Sequence, residues 1–388
     1  MINGISRFSF PTMVSFGPGA IKLLPENLVE VNIKCPLIVT DPGLLQTNAF
    51  KTIEAVLKTA DIPFGVFSGI QPNPLDEDIE KAMAIYTTKG CDGVIGLGGG
   101  SALDSAKVIP VLVKNGGKIK DYNCSTGGNQ KIQGPLPRVI AIPTTAGTGS
   151  EVGRCSVISS ASNGSKYMIC HPLMMPALAV LDPELTVSLP DFLTASTGMD
   201  ALTHCVESLT APVFHPMCDG IALKGIELVV DNLEKAVKNP GDISARGYML
   251  IAAMMGAVAF QKDLGAAHSL SHALSSVCGL QHGLANAICL IPVMKYNIEI
   301  SANEYAKVAG VFHINTFEMT DIQAAKKAIQ AIADLNSKIG ITGSLKDVGV
   351  KEDQLEEISV KAFADPCHQT NSRPCTKKDL LDILKKAF

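Results

Sequence analysis

The chain has 388 residues, 46% of them apolar and 18% charged, a formal net charge of −4 and a pI of about 6.1. That is material for a large buried core over about two domains, and it argues against a disordered or linker-dominated protein. With no long basic block, it also argues against nucleic acid or an anionic membrane surface as a partner.

Residues 1–19 carry one arginine, several polar residues and no apolar stretch of signal-peptide length, so they do not read as a secretory signal. The longest apolar stretches, residues 250–260 and 287–294, are too short, or too broken by Pro292, to span a bilayer. Eleven scattered cysteines, none in a CxxC pair, fit reduced and mostly buried thiols of a cytoplasmic protein better than a disulfide framework.

In the first half, β-rich runs at residues 36–40, 64–67, 93–97, 139–142 and 178–181 alternate with helical stretches such as 48–60 and 75–89. This alternation predicts a mainly parallel sheet covered on both faces. The first run ends in Asp41, where a carboxylate could accept hydrogen bonds from a ribose diol. Asp41 also opens an Asp-Pro-Gly turn, which accounts for it without any ligand.

The run 93–97 is apolar without alternation, as in a strand buried on both faces. It passes through Gly98, Gly99, Gly100 and Ser101 into a helix at residues 102–108. Such a loop lets a phosphate approach the backbone at a helix N-terminus. The spacing is not GxGxxG, and taken alone a tight strand-to-helix turn explains it equally well. After the run 139–142 comes Pro143-Thr-Thr-Ala-Gly-Thr-Gly-Ser-Glu151, with four hydroxyls and two glycines at another strand end. Ligands of open α/β sheets bind at the carboxyl ends of strands, so the two loops together read as one phosphate-binding crevice.

From residue 183 onward β-runs disappear, and residues 191–210, 216–237, 244–260, 268–277, 322–338 and 380–388 carry Ala, Leu and Met at helical spacing. The expectation is an α/β dinucleotide-binding domain at 1–182 and an all-α metal and catalytic domain at 183–388. Clefts between domains are favoured ligand sites. Five of the eight histidines lie between His204 and His282. Asp200 and His204 are spaced i, i+4 on one helix, His268 and His272 repeat that spacing on another, and His282 starts the next. One Asp with three His suits Fe²⁺ or Zn²⁺, and the lack of a thiolate argues against a structural zinc knuckle. A lone His on an apolar helix is more often a core residue; two such pairs in one domain are not.

These residues resemble the iron-containing (group III) alcohol dehydrogenase family, whose members include lactaldehyde reductase, propanediol dehydrogenase and butanol dehydrogenase. The resemblance rests on Gly198-Met-Asp-Ala-Leu-Thr-His204, Gly265-Ala-Ala-His-Ser-Leu-Ser-His-Ala273 and His282-Gly-Leu-Ala-Asn286, and covers nearly the whole chain. It implies a dehydroquinate-synthase-like fold, a metal held by Asp200, His204, His268 and His282, and His272 as a catalytic residue close to the reacting centre. For the cofactor, NAD rather than NADP, it implies contacts from Asp41, Gly98, Gly99, Gly100, Ser101, Asp104, Thr144, Thr145, Thr148, Val157, Lys166 and Leu185. It also implies a homo-oligomer. The implied reaction is hydride transfer between a nicotinamide and a small alcohol or aldehyde.

Three departures stand out: Gln281 in place of a proline, the shortened approach Phe260-Gln-Lys-Asp-Leu-Gly265, and Gly153-Arg154 in place of Thr-Pro. The last two put the basic residues Arg154 and Lys262 beside the expected substrate cleft, so Arg154, Cys155, Phe260 and Lys262 are substrate-side candidates. An Arg fork suits a carboxylate, which would make the substrate a hydroxy acid or semialdehyde such as 4-hydroxybutyrate or succinic semialdehyde. Rival expectations are a related dehydroquinate-synthase-like or glycerol-dehydrogenase-like enzyme, a metal-dependent hydrolase, and a non-catalytic NAD-binding or filament-forming scaffold.

Overall fold

Parallel strand pairing organises the first half of the chain, and buried helices organise the second. The computed structural model describes residues 12–162 and 164–388. Part of the N-terminal segment judged above for signal character, residues 1–11, lies outside the described residues. Two compact units result. One takes Gly149–Leu189 with the described part of Phe10–Thr145; the other takes Ala146–Thr148 with Pro190–Phe388.

In the first unit the strands are β1 (Met13–Phe16), β2 (Pro36–Val39), β3 (Gly65–Phe67), β4 (Gly93–Gly98), β5 (Arg138–Pro143), β6 (Cys155–Ser159), β7 (Lys166–Cys170) and β8 (Leu178–Leu181). Its helices are α1 (Leu24–Glu30), α2 (Asn48–Thr59), α3 (Asp76–Thr88) and α4 (Gly100–Asn115). Six strands form a parallel sheet in the order β1-β8-β5-β4-β2-β3. Period-two alternation splits its side chains between two cores. Leu37, Val39, Val94 and Val139 meet residues of α3 and α4, while Ile38, Ile95, Leu97, Ile140, Leu178 and Val180 meet residues of α1 and α2. All six residues of β4 are buried, as its unbroken apolar run requires.

The expected end of this domain at residue 182 falls short of the observed one, for a physical reason. Asp182 accepts hydrogen bonds from the N–H groups of Gly19, Ile21 and Glu184, and Leu185 is buried in the α1/α2-side core. The unit therefore runs on to Leu189.

β6 and β7 form an antiparallel hairpin that the sequence reading did not contain. Cys155 and Cys170 are direct partners in it and form a disulfide, which corrects the expectation of reduced thiols throughout. Nine other cysteines are free among the described residues. Beside the hairpin, Lys107 is 1% exposed and gives its ammonium to the carbonyls of Gly153 and Cys155 and to Asp104.

The second unit is helical: α5 (Asp191–Thr210), α6 (Pro216–Lys238), α7 (Ile243–Ala259), α8 (Ala266–Cys278), α9 (His282–Val311), α10 (Asp321–Lys338), α11 (Leu355–Ala364) and α12 (Lys377–Ala387). α5 is its axis, buried without interruption from Thr194 to Leu209. Its small residues lie all round the helix, the composition of a helix enclosed on every side. At Gly283 an added Cβ would stand 2.2 Å from the carbonyl oxygen of Ser196, so only glycine lets the first turn of α9 lie against α5. α9 is two helical stretches joined at Ser301.

The segment Ile243–Lys262 is long and apolar enough to cross a membrane by length and composition. This corrects the reading of its apolar run as too short. Its most apolar window is 61% buried inside the protein, the pattern of a core helix.

The buried Glu151 produces a pH effect on stability. It is 2% exposed and its Oε1 has no hydrogen-bond partner. Burial pushes its carboxyl up to about 7, only partly offset by its own backbone N–H and by Lys107. Between the ordinary glutamate range and pH 7 the folded chain therefore keeps a proton that the unfolded chain has lost, and stability falls as pH rises through that window. Glu151→Gln should raise unfolding free energy by up to about 3 kcal/mol at about pH 8 and give no gain at about pH 4. Calorimetry at both pH values checks this; equal gains at both would show that Glu151 does not titrate in this way.

Candidate metal centre

Helical periodicity puts Asp200, His204 and Glu207 on one face of α5 at i, i+4 and i+7. α8 contributes His268 and His272, and α9 begins at His282. Around Asp200 Oδ1 stand the Nε2 atoms of His204 at 3.8 Å, His268 at 3.6 Å and His282 at 3.3 Å. Four donors around a cation at bonds of about 2.1 Å lie roughly 3.4 Å apart, so the spacing is that of a shared ion. Asp200, His204 and His268 are buried, whereas the His282 side chain is 31% exposed. The set is thus open on one side.

Electrostatics prepare these groups as ligands. Burial alone would raise Asp200, but His204, His282 and the hydrogen bond to His268 outweigh it and hold the carboxyl well below its usual range. Burial pushes His204 down to about 3, which keeps its imidazole neutral. For His268 burial is outweighed by hydrogen bonds to Asp200 and Glu207, which hold the ring up at about 9. A cation would replace that proton.

Glu207 and Asn286 were not among the sequence candidates. Glu207 accepts from His268 Nδ1 at 2.6 Å and from the N–H groups of Gly265 and Ala267 at 3.0 and 2.7 Å. It fixes the ring and aims Nε2 at Asp200, the carboxylate–histidine arrangement of metal sites. The i+7 step from Asp200 was its sequence signal. Ser271 Oγ meets His282 Nδ1 at 2.8 Å and orients that ring.

Asn286 Nδ2 lies 2.8 Å from Asp200 Oδ1, 3.3 Å from His268 Nε2 and 3.2 Å from His282 Nε2. With the His268 ring protonated, the amide donates to Asp200 and to His282, and its own Oδ1 is buried without a partner. One carboxylate oxygen and three imidazole nitrogens gathered at one point fit a divalent cation. Asp200, His204, His268 and His282 would hold it.

His272 stands beside this set, its ring stacked on His282 at 5.2 Å and its Nδ1 2.8 Å from Asp365 Oδ2. Phe260 presents its ring edge to His204 at 5.2 Å.

In the other unit, strand ends bring together Asp41, Gly98, Gly99, Thr144 and Thr145. The N–H of Thr144 donates to the Gly98 carbonyl at 3.0 Å. Gly98 has φ +145°, and an added Cβ would lie 2.9 Å from Ala102 Cβ and 3.7 Å from Asp41 Oδ2. No other residue fits there. Gly99 faces the Thr145 side chain, and Gly100 and Ser101 open α4. Asp41 Oδ1 accepts from Gly43 and Leu44, so the Asp-Pro-Gly turn is real, while Oδ2 faces Gly98. Thr148 is grouped with the helical unit, and Lys166 is exposed on β7.

Several expected contacts are engaged elsewhere. Asp104 accepts from Ser150 Oγ at 2.6 Å and from the Val157 N–H at 2.9 Å, and it pairs with Lys107, so Asp104 and Val157 hold the hairpin rather than offer free polar groups to a cofactor. Leu185 is a core side chain at 4% exposure. Lys262 is corrected as a substrate anchor: it is 3% exposed, with its ammonium on Asp219 and on the Leu209 carbonyl. Cys155 is corrected as well, because the disulfide leaves it no thiol. Arg154 remains exposed.

These geometries separate three roles. His282→Ala or Asp200→Ala should abolish metal retention and turnover, since each removes a donor. His272→Ala should keep the metal and lower kcat. Glu207→Gln should weaken metal affinity by roughly 10- to 100-fold through the loosened His268 ring. Metal analysis after dialysis checks all three; if His272→Ala lost its ion as fully as His282→Ala, the division of roles would be wrong.

Comparison with known proteins agrees with this geometry. Residues 11–183 match the family described as iron-containing alcohol dehydrogenase, and residues 194–388 match the family's C-terminal region. The chain is 35% identical over 385 residues to an NAD-dependent methanol dehydrogenase of Bacillus methanolicus, covering 99% of this chain and 100% of that one. It is 37% identical over 380 residues to a 4-hydroxybutyrate dehydrogenase of Cupriavidus necator, covering 95% and 96%. A crystal structure of a 1,3-propanediol oxidoreductase superposes with a TM-score of 0.95 at 33% identity, covering 99% of this chain and 100% of the other. With both units matched and the Asp and three His converging, the chain belongs to the iron-containing alcohol dehydrogenase family.

Proposed function

We propose that this protein interconverts a small primary alcohol and its aldehyde with NAD, at a divalent cation held by Asp200, His204, His268 and His282. Fe²⁺ is the first choice and Zn²⁺ the alternative. The observation that carries the proposal is the convergence of one carboxylate and three imidazoles, with no thiolate, on one point. A cation held there would supply Lewis acidity toward a hydroxyl or carbonyl oxygen, and a bound nicotinamide would supply the hydride chemistry.

The chain's own residues do the rest. Asp200 and Glu207 bring negative charge that favours a cation over water. Glu207 and Ser271 hold the His268 and His282 rings. His272 donates from Nδ1 to Asp365, which leaves Nε2 to accept a proton, and its 25% side-chain exposure lets that proton reach solvent. Phe260 is an apolar wall beside His204. Asp41 faces the glycine loop, where it would accept from a ribose diol. Nine free cysteines against one disulfide favour a cytoplasmic setting, and we propose a homodimer as the assembly.

An anaerobic panel of alcohols, aldehydes and hydroxy acids with NAD(H) and NADP(H), with added Fe²⁺, tests the proposal. No turnover on any member, or turnover that survives chelation, would overturn it. A non-catalytic scaffold predicts the first result, and a metal-dependent hydrolase predicts no cofactor binding.

Cofactor choice follows from Asp41. Its carboxylate repels a ribose 2′-phosphate, so wild type should prefer NAD, and Asp41→Gly should shift toward NADP. Equal kcat/KM for both cofactors in wild type would refute this.

A second reading has the substrate carry a carboxylate. It is supported by the relative named 4-hydroxybutyrate dehydrogenase and by the exposed Arg154, with Lys262 withdrawn. Arg154→Ala should then raise KM for the acid substrate by roughly one to two powers of ten and leave a neutral alcohol of similar length almost unchanged. Equal effects on both substrates would remove this reading.

A further inference from the structure

Beside the metal centre lies a second group of donors with a different chemistry. His272 comes from α8, while Asp365 and Cys367 come from the turn that follows α11. Their ligand atoms all lie within 4.8 Å of one another, and all three residues are partly exposed. One nitrogen, one carboxylate oxygen and one sulfur form a donor set for a borderline cation. Asp365 is already held as a ligand would be. Its Oδ1 accepts from Ser269 Oγ and from the Cys367 N–H, each at 2.9 Å, which leaves Oδ2 facing His272 Nδ1 at 2.8 Å.

We propose that His272, Asp365 and Cys367 form a second cation site, for Zn²⁺ or a cation of that class, whose occupation switches the enzyme off. The hydrogen now shared by His272 Nδ1 and Asp365 Oδ2 occupies the place a cation would take. Binding moves the imidazole proton from Nδ1 to Nε2 and releases the Cys367 thiol proton to solvent. No oxidant or reductant is involved. The neutral ring then carries its hydrogen on Nε2, the nitrogen that accepts the substrate proton in the function proposed above. Occupation therefore removes a proton acceptor while the first metal stays in place. That consequence rests on the proposed role of His272; the site itself does not.

Cobalt(II) separates the two sites. The first site has no thiolate, so sulfur-to-cobalt charge-transfer absorption in the near ultraviolet can come only from a site containing a cysteine. Co²⁺ added to the full-length holoenzyme should bring up this band to one equivalent. The band should persist in His282→Ala and vanish in Cys367→Ser. No band in wild type, or a band that survives Cys367→Ser, overturns the site. Zn²⁺ should inhibit wild type, and Cys367→Ser should need roughly tenfold more Zn²⁺ or higher, because one of three donors is gone. Unchanged inhibition in Cys367→Ser overturns the switch. The absorbance readout does not depend on turnover, so a failure of the proposed function would show in the substrate panel and not in this band.

Discussion

Two negative charges buried on one helix govern the helical unit. Asp200 is 2% and Glu207 4% exposed, and α5 is enclosed along the turns that carry them. Removing a carboxylate from water costs several kcal/mol even after relaxation, and only close, well-directed partners offset it. Glu207 finds them within the protein: two N–H groups at the start of α8 and the His268 ring, with the helix dipole adding to both. Asp200 has imidazoles on three sides and an amide, a set that solvates an anion incompletely and a cation well. α8 and α9 thus approach α5 where charge demands it, and the packed core fills the space between.

The sheet unit meets a comparable problem with a cation. Lys107 is buried, and Asp104, two carbonyls and the nearby hairpin satisfy it. This knot ties the helix that follows the glycine loop to β6, so the loop is held by its flanks. Structure and ligand chemistry share one element here, with Asp104 on the structural side.

Local spacing explains what could be read from sequence alone. Five sheet strands and the full extent of α5 were legible, because an unbroken apolar run or a steady helical stripe marks each of them. The Asp and His pairs were legible for the same reason, since i, i+4 is a short-range relation. β1 and the β6/β7 hairpin were not, because their residues show neither a long apolar run nor clean alternation. Asp365 could not be matched to His272 from sequence: 93 residues separate them, and only the turn after α11 brings them together. Lys262 read as a substrate-side cation because burial of a lysine depends on a remote partner, here Asp219 on α6. Cys155 looked like a lone thiol because strand register, not spacing, pairs it with Cys170.

The contact at Gly283 bears on which ions the centre can take. His282, the preceding residue, is the most exposed of the four donors and would be the natural one to swing outward for a larger cation. Its backbone cannot retreat with it, because the next α-carbon is seated against the Ser196 carbonyl, one helical turn before Asp200. The backbones that carry carboxylate and imidazole thus share one contact. A cation held there would be selected by radius: oxygen-seeking ions with longer bonds would have to deform a helix pair, whereas small transition-metal ions would fit the frame as folded.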